Sequence, residues 1–357
     1  MISILLPAYN AERFIEAAIV SILQQTFTEF ELIVIDDGST DQTGAIVEAL
    51  AQQDSRVRLL HSTHGGLSRA LNQGIATAQY DWVGRMDADD IALPDRLQKQ
   101  VEAIHAQPQV VAWGTYAYHI NAQGKPLGMA RTGPTTEEEF LRQRQAGHLV
   151  QLIHPTVLLR KDVLLAVGGY DPEFELVEEL ELFDRMAAYG ATLAIPEPLL
   201  QYRVHSASVS MQKFFIQRVL MRYVVARHRD RLAGKPELSY PQFLQDYQQQ
   251  PWLSRLQRNI RTTGMFYYRK AGLLFGEAQR MKAVGYLTGA IALHPAYSLP
   301  RLWNQVLAGH LSHFPRFKKS PEARFTPLGK ELPCTPKARS ASLREVMPPK
   351  SPKVGGL

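Results

Sequence analysis

Four short runs of apolar, β-branched residues, at positions 2–6, 32–35, 57–61 and 82–86, are each followed by a stretch of helical periodicity, at about 12–25, 41–53, 66–79 and 94–107. This fourfold alternation predicts an α/β fold, with a Rossmann-like, mostly parallel sheet flanked by helices. Asp41 and Pro94 stand near two of the expected helix starts. In sheets of this kind ligands bind beyond the carboxyl ends of the strands. Here every such end is polar: Pro7, Ala8, Tyr9, Asn10 after the first run, Asp36, Asp37, Gly38, Ser39, Thr40, Asp41 after the second, His64, Gly65, Gly66 after the third, and Asp87, Ala88, Asp89, Asp90 after the fourth. Four chemically loaded loops are therefore expected on one edge.

Beyond residue 108 the alternation loosens. A strand is predicted at 110–116, a hairpin turn at 121–124, a helix at about 136–145, a turn at Gly168, Gly169, Tyr170, Asp171, a helix at about 178–188 and an irregular polar loop at 202–210. Residues 211–312 read as helical, and the stretch 267–294 resembles one tetratricopeptide unit, of which a single copy makes no array. The expected organisation is a domain over 1–210, with halves 1–108 and 109–210, a helical appendage over 211–314, and a tail over 315–357. A packed appendage competes with an amphipathic arm that meets a membrane surface or a partner. The tail holds eight prolines and ten Lys or Arg against three Glu, a composition that predicts disorder.

Charge must be localised before it is read. The chain carries +6, but the tail alone contributes +7, so residues 1–314 sum to about −1 and lack the basic balance of a nucleic-acid binder. With 45% hydrophobic and 21% charged residues the composition is that of a globular protein. No run reaches the ~18 apolar residues of a membrane span, and no signal-type leader is visible. The single cysteine, Cys334, excludes an internal disulfide. A cytoplasmic protein is expected, in peripheral contact with the inner face of a membrane through the appendage or tail.

Asp87 and Asp89, two apart at a strand end, can turn toward one hard cation such as Mn²⁺ or Mg²⁺. A lone Asp-x-Asp is common, and a solvated helix start before Pro94 is the plain alternative; convergence with the other loops gives it weight. Asp36 and Asp37 would repel each other without hydrogen-bond donors, which a nucleobase ring N–H can supply, while Tyr9 can stack on the base and Pro7 shapes the first turn. Capping by Ser39, Thr40 or Asp41 is compatible with this. A nicotinamide-dependent dehydrogenase would need a glycine-rich first turn, which Pro7, Ala8, Tyr9, Asn10 is not.

These segments, with Gly66, Leu67, Ser68, then Ala70, Leu71, Asn72, Gln73, Gly74, and with Arg85 to Asp90, resemble the inverting family 2 glycosyltransferases of GT-A fold over about 210 residues. The resemblance implies a nucleotide-sugar donor held around Pro7, Tyr9, Asn10, Asp36, Asp37, Gly66 and Asp87, and a divalent cation with the diphosphate at Asp87 and Asp89. It implies a glycan or lipid-linked acceptor met by the half that contains His154, Pro155, Thr156. Arg203 and His205 resemble the family's closing segment, which implies Arg203 on the diphosphate and His205 completing the metal site; a surface Arg and His with no ligand is the alternative. Glu178, Glu179, Leu180, Glu181, Leu182 stands where the family usually has Glu, Asp, x, Asp, Leu. The catalytic base maps to Glu179, a glutamate in place of the usual aspartate, with Glu178 the second candidate. A solvated acidic helix face with Glu181 and Arg185 paired is the alternative. A sugar-phosphate nucleotidyltransferase and a non-catalytic nucleotide-sugar-binding scaffold remain rival functions.

Overall fold

The computed structural model describes residues 1–204 and 208–306. All of these lie in one compact unit. In chain order the elements are β1 (Ile2–Ala8), α1 (Ile15–Leu23), β2 (Phe30–Asp36), α2 (Thr43–Gln53), β3 (Val57–His61), α3 (Leu67–Thr77), β4 (Trp82–Arg85), β5 (Ile91–Ala92), α4 (Arg96–Ala106), β6 (Ala112–Ile120), β7 (Pro126–Ala130), α5 (Glu137–Gln145), β8 (Leu158–Arg160), α6 (Lys161–Ala166), α7 (Glu178–Met186) and β9 (Thr192–Arg203). The helices α8 (Val209–Gln212), α9 (Phe214–Leu232), α10 (Tyr240–Gln249), α11 (Trp252–Gly276), α12 (Arg280–Leu293) and α13 (Pro295–Val306) follow.

The four predicted strands lie side by side and parallel in the order β3, β2, β1, β4, and the sheet continues through β8, β6, β9 and β5, with β7 paired to β6. β8 is antiparallel to both neighbours and β6 runs parallel to β9. The sheet is buried on both faces because successive side chains alternate between two helical layers. Ile4, Leu6, Leu32 and Val34 meet α1 and α2. Leu5, Ile33 and Ile35 meet α3, α6 and α7. Gly84 is required in β4, since a Cβ there would lie 2.5 Å from the Ile4 side chain and 2.7 Å from Leu158.

Two sequence expectations change. The strand β9 was read partly as an irregular loop from Tyr202, yet it runs through Tyr202 and Arg203, paired with His119 and Ile120. Its mixed composition, with Pro196 and Pro198, hides the alternation; the register shifts that admit Pro198 lie opposite Thr115 and Tyr116. Pro7 is a strand residue, opposite Ile35, and the turn starts after Ala8. Its missing N–H lies on the side of β4, beyond the last β1–β4 pair of Leu5 and Arg85.

The segment 211–306 is helical as expected, and α11 and α12 form a packed hairpin in which Gly289 lies against the Tyr267 ring. Asp184 ties it to the sheet half: buried on α7, it is approached by His228 Nδ1 at 2.8 Å and by Arg231 of α9 at 2.5 Å, and it pairs with Arg144. Among the described residues no helix is long and apolar enough to cross a membrane. The proposed disordered tail, 315–357, lies outside the described residues, as does His205.

Candidate functional site

The carboxyl ends of β1 to β4 do meet on one edge, and the loops are knitted together there. The Asn10 side chain accepts from Thr40 N at 2.8 Å, and Asn10 N donates to Ser39 Oγ at 3.0 Å. Asp36 accepts from Ser39 N at 3.0 Å. Asp37 accepts from Gly65 N at 2.9 Å and Gly66 N at 3.0 Å, and His64 Nδ1 stands 3.2 Å away. The donors these two buried acids require therefore come from the chain itself, which fixes the loop between β3 and α3. Tyr9 is 48% exposed and stacks on His64, with ring centroids 4.3 Å apart. It presents a ready aromatic face beside the acid loop.

After β4, Asp87, Asp89 and Asp90 bring carboxylate oxygens within 4.8 Å of one another. Asp90 is fully buried; one of its oxygens accepts from Arg203 N at 2.7 Å, and the other has no hydrogen-bond partner among the described residues. Burial, and then the charges of Asp87 and Asp89, raise Asp90 well above the usual carboxylate range. Burial also raises Asp87, opposed by the Arg85 guanidinium at 2.8 Å. Beneath the loop Arg96, fully buried, donates to Arg85 O at 2.7 Å, and burial pulls it down to about 10. Three crowded carboxylates, one with a buried orphan oxygen, form an all-oxygen donor set that fits a hard divalent cation.

The second cluster sits where α7 begins. Glu178 is buried, while the Glu179 side chain is 30% exposed. His154 Nδ1 lies 3.9 Å from an oxygen of each. Arg85 makes a short hydrogen bond to the same Nδ1, and Tyr170 Oη lies 2.8 Å from Nε2. A guanidinium can only donate, which leaves Nδ1 the acceptor role toward Arg85. The His154 side chain, expected on the acceptor side, is 10% exposed and lies against the carboxylate pair. His154, Glu178 and Glu179 bring ligand atoms within 4.8 Å of one another. Burial, then the Glu178 carboxylate, push Glu179 up to about 8. The solvated acidic face is ruled out: Glu178, Glu181 and Asp184 are buried, and the Glu181–Arg185 pair, at 2.6 Å, grips the carbonyls of Val167 and Gly169.

Arg85 joins the two clusters, bonded to Asp87 on one side and His154 on the other. The sequence reading quoted it without giving it a role; its signal was a charge at the end of an apolar strand. Tyr170 was equally missed. Asn72 holds it through Tyr170 O at 2.7 Å and Tyr170 N at 2.9 Å. Gly169 must be glycine there, with φ +71° and a Cβ position 2.6 Å from Asn72 Oδ1. Arg203, expected on a diphosphate, is buried, donates to Asp89 O at 2.6 Å and Asn121 O at 3.0 Å, and lies over the Phe14 ring. In this structure it is a strut for the acid loop.

The parallel edge thus carries an acid triad at a strand end and, joined to it through Arg85 and His154, a carboxylate pair at the start of α7. Residues 3–168 match the family model described as glycosyl transferase family 2. Glycosyltransferase GlyG of Streptococcus pneumoniae serotype 4 is 34% identical over 223 residues, covering 60% of this chain and 74% of that one. O-antigen biosynthesis glycosyltransferase WbnJ of Escherichia coli is 29% identical over 216 residues, covering 58% and 81%. The crystal structure of S. aureus TarS 1-349 in complex with UDP-GlcNAc shares the fold, with a TM-score of 0.50 at 19% identity over 84% of this chain and 92% of that one. The chain belongs to glycosyl transferase family 2.

Proposed function

We propose that the protein transfers a sugar from a nucleotide-diphosphate sugar, of which a UDP-sugar is the first candidate, to a glycan or lipid-linked acceptor in surface polysaccharide or glycolipid biosynthesis. The relative named for O-antigen biosynthesis supports that setting. The observation that carries the mechanism is the single guanidinium of Arg85, set between the acid triad and the Glu178–Glu179 pair. One side suits a leaving diphosphate and the other a departing proton.

Asp87, Asp89 and Asp90 would hold Mn²⁺ or Mg²⁺, which when bound supplies positive charge for the diphosphate. Tyr9 offers its face to the base, and the loops of Asn10, Asp36, Asp37 and Gly66 shape the pocket around it. Glu179, the more open of the pair, takes the proton of the acceptor hydroxyl. The hydroxyl oxygen forms its bond to the anomeric carbon from the face opposite the diphosphate; the old C–O bond breaks, its electron pair leaves with the nucleoside diphosphate, and configuration inverts. The cavity beside Glu179, about 280 Å³, lies at the small end of ligand pockets and suits single additions.

We place the reaction at a cytoplasmic membrane face. The first turns of α11 expose Trp252, Leu253, Leu256 and Ile260, which fall within one ~100° arc of a helix, with Arg255, Arg258 and Arg261 on the remaining faces.

Thermal melting with a panel of nucleotides tests the donor reading. A nucleoside diphosphate should raise the melting temperature only with Mn²⁺ or Mg²⁺, and Asp89→Ala should remove both that shift and hydrolysis of the nucleotide-sugar. Stabilisation by the nucleotide that is indifferent to metal would sink it.

A further inference from the structure

The cavity next to Glu179 has a second wall that the donor side does not explain. Besides residues of α7 it is lined by Arg218 of α9 and Arg269 of α11, and by Gln151 and Gln217. None of its lining residues belongs to the four loops after β1 to β4. Both guanidinium carbons lie near the ring of Phe214, Arg218 at 5.0 Å and Arg269 at 5.6 Å. Among the described residues neither arginine makes an ion pair, and Arg218 Nε is buried without a hydrogen-bond partner. Burial, and then the neighbouring Arg269, hold Arg218 below its ordinary pKa, with Arg222 and Arg301 adding to the repulsion. Arg218 is partly buried and Arg269 exposed; two guanidinium groups brought together at one cavity without a counter-ion are a favourable place for an anion. Residues 211–306 carry fifteen Lys or Arg against four Asp or Glu, so no acid of that segment is at hand in number.

We propose that this cavity is the acceptor subsite and takes a sugar or alcohol bearing a phosphate or diphosphate, the anion lying between Arg218 and Arg269 while the reacting hydroxyl meets Glu179. This rests on the reading of Glu179 as proton acceptor. The acid triad is not among the lining residues of this cavity. A second, larger cavity of about 530 Å³ shares Arg218 and Met221 and adds Arg222 and Arg258 among Val225, Phe243 and Met265. It continues the same cationic track over an apolar surface.

The test is calorimetric titration of the full chain with inorganic pyrophosphate and with butyl diphosphate, in EDTA so that no cation bridges the ligand to the acid triad. Wild type and Asp89→Ala should bind alike, and Arg218→Gln/Arg269→Gln should bind at least tenfold more weakly. The double variant should keep its metal-dependent melting shift with nucleotide, which shows that fold and donor site are intact; Arg218→Lys/Arg269→Lys should restore part of the affinity if the substitution to Gln disturbs packing. Equal affinity for the two ligands assigns the phosphate to a water-soluble acceptor, and tighter butyl diphosphate assigns it to a lipid carrier. No saturable binding by wild type, or binding that Asp89→Ala abolishes and the double variant does not, overturns the proposal. Loss of the nucleotide shift in wild type would instead strike the donor reading and leave this one standing.

Discussion

Glu179, at the start of α7, lines the cavity with its side chain 30% exposed, while the Glu178 side chain is 6% exposed. Glu179→Gln should lower transfer by about 10²–10⁴ in kcat with little change in donor affinity, and Glu178→Gln should cost less; steady-state kinetics with a fixed acceptor read both, and equal losses would transfer the role to the pair. The raised pKa has a second consequence. A carboxyl whose folded pKa exceeds its unfolded value of ~4.3 contributes stability below that value, and the contribution is lost as pH rises through the folded pKa, here about 8. Without metal or substrate, Glu179→Gln should therefore melt higher than wild type at pH 8, with the gap closing toward pH 4. Melting curves across that range check the sign, and a gap that widens on acidification would contradict it.

At the scale of elements, β1 to β4 and the helices between them were legible because buried parallel strands are near-continuous apolar runs and each helix has its own period. The edge where their loops meet followed from topology alone. β9 was not legible: its strand character comes from pairing with β6 across two register shifts, a tertiary fact that Pro196 and Pro198 mask locally. Within the site, Asp87 and Asp89 could be read from spacing, whereas Arg85, Tyr170 and the place of His154 depend on a meeting of β4, the turn before β8 and the Gly169 turn that no local pattern announces. The exposed stripe on α11 is an element-scale feature with its own test. Leu253→Glu/Leu256→Glu should reduce partition of the protein onto vesicles by tenfold or more, as expected when two apolar side chains worth about 1.5–3 kcal/mol each on burial are removed. Unchanged sedimentation with the vesicles would dismiss α11 as the contact.

Over the whole molecule the charge is segregated. Residues 1–210 carry fifteen Lys or Arg against twenty-seven Asp or Glu, while 211–306 reverse the balance, fifteen against four. The near-neutral sum of the folded body conceals this polarity. The acidic portion contains the metal-type triad, and the basic portion supplies the wall of the acceptor cavity and the arm on α11. A basic surface is drawn to anionic lipid, and the attraction weakens within a Debye length of ~8 Å at physiological salt.

Arg85 also sets a sequence of events. Asp87 is among the charges that raise Glu179, and Arg85 is among those that lower it. A divalent cation arriving with the donor would compensate the Asp87 charge and leave Arg85 to act on the carboxylate pair, so that Glu179 could release its proton to solvent and become able to receive one from the acceptor. The enzyme is armed from the donor side. Kinetics should then be ordered, with the nucleotide-sugar binding first and the nucleoside diphosphate leaving last. Product inhibition by the diphosphate would be competitive against donor and mixed against acceptor; a random-order pattern would show that Arg85 holds the two clusters together without making one wait for the other.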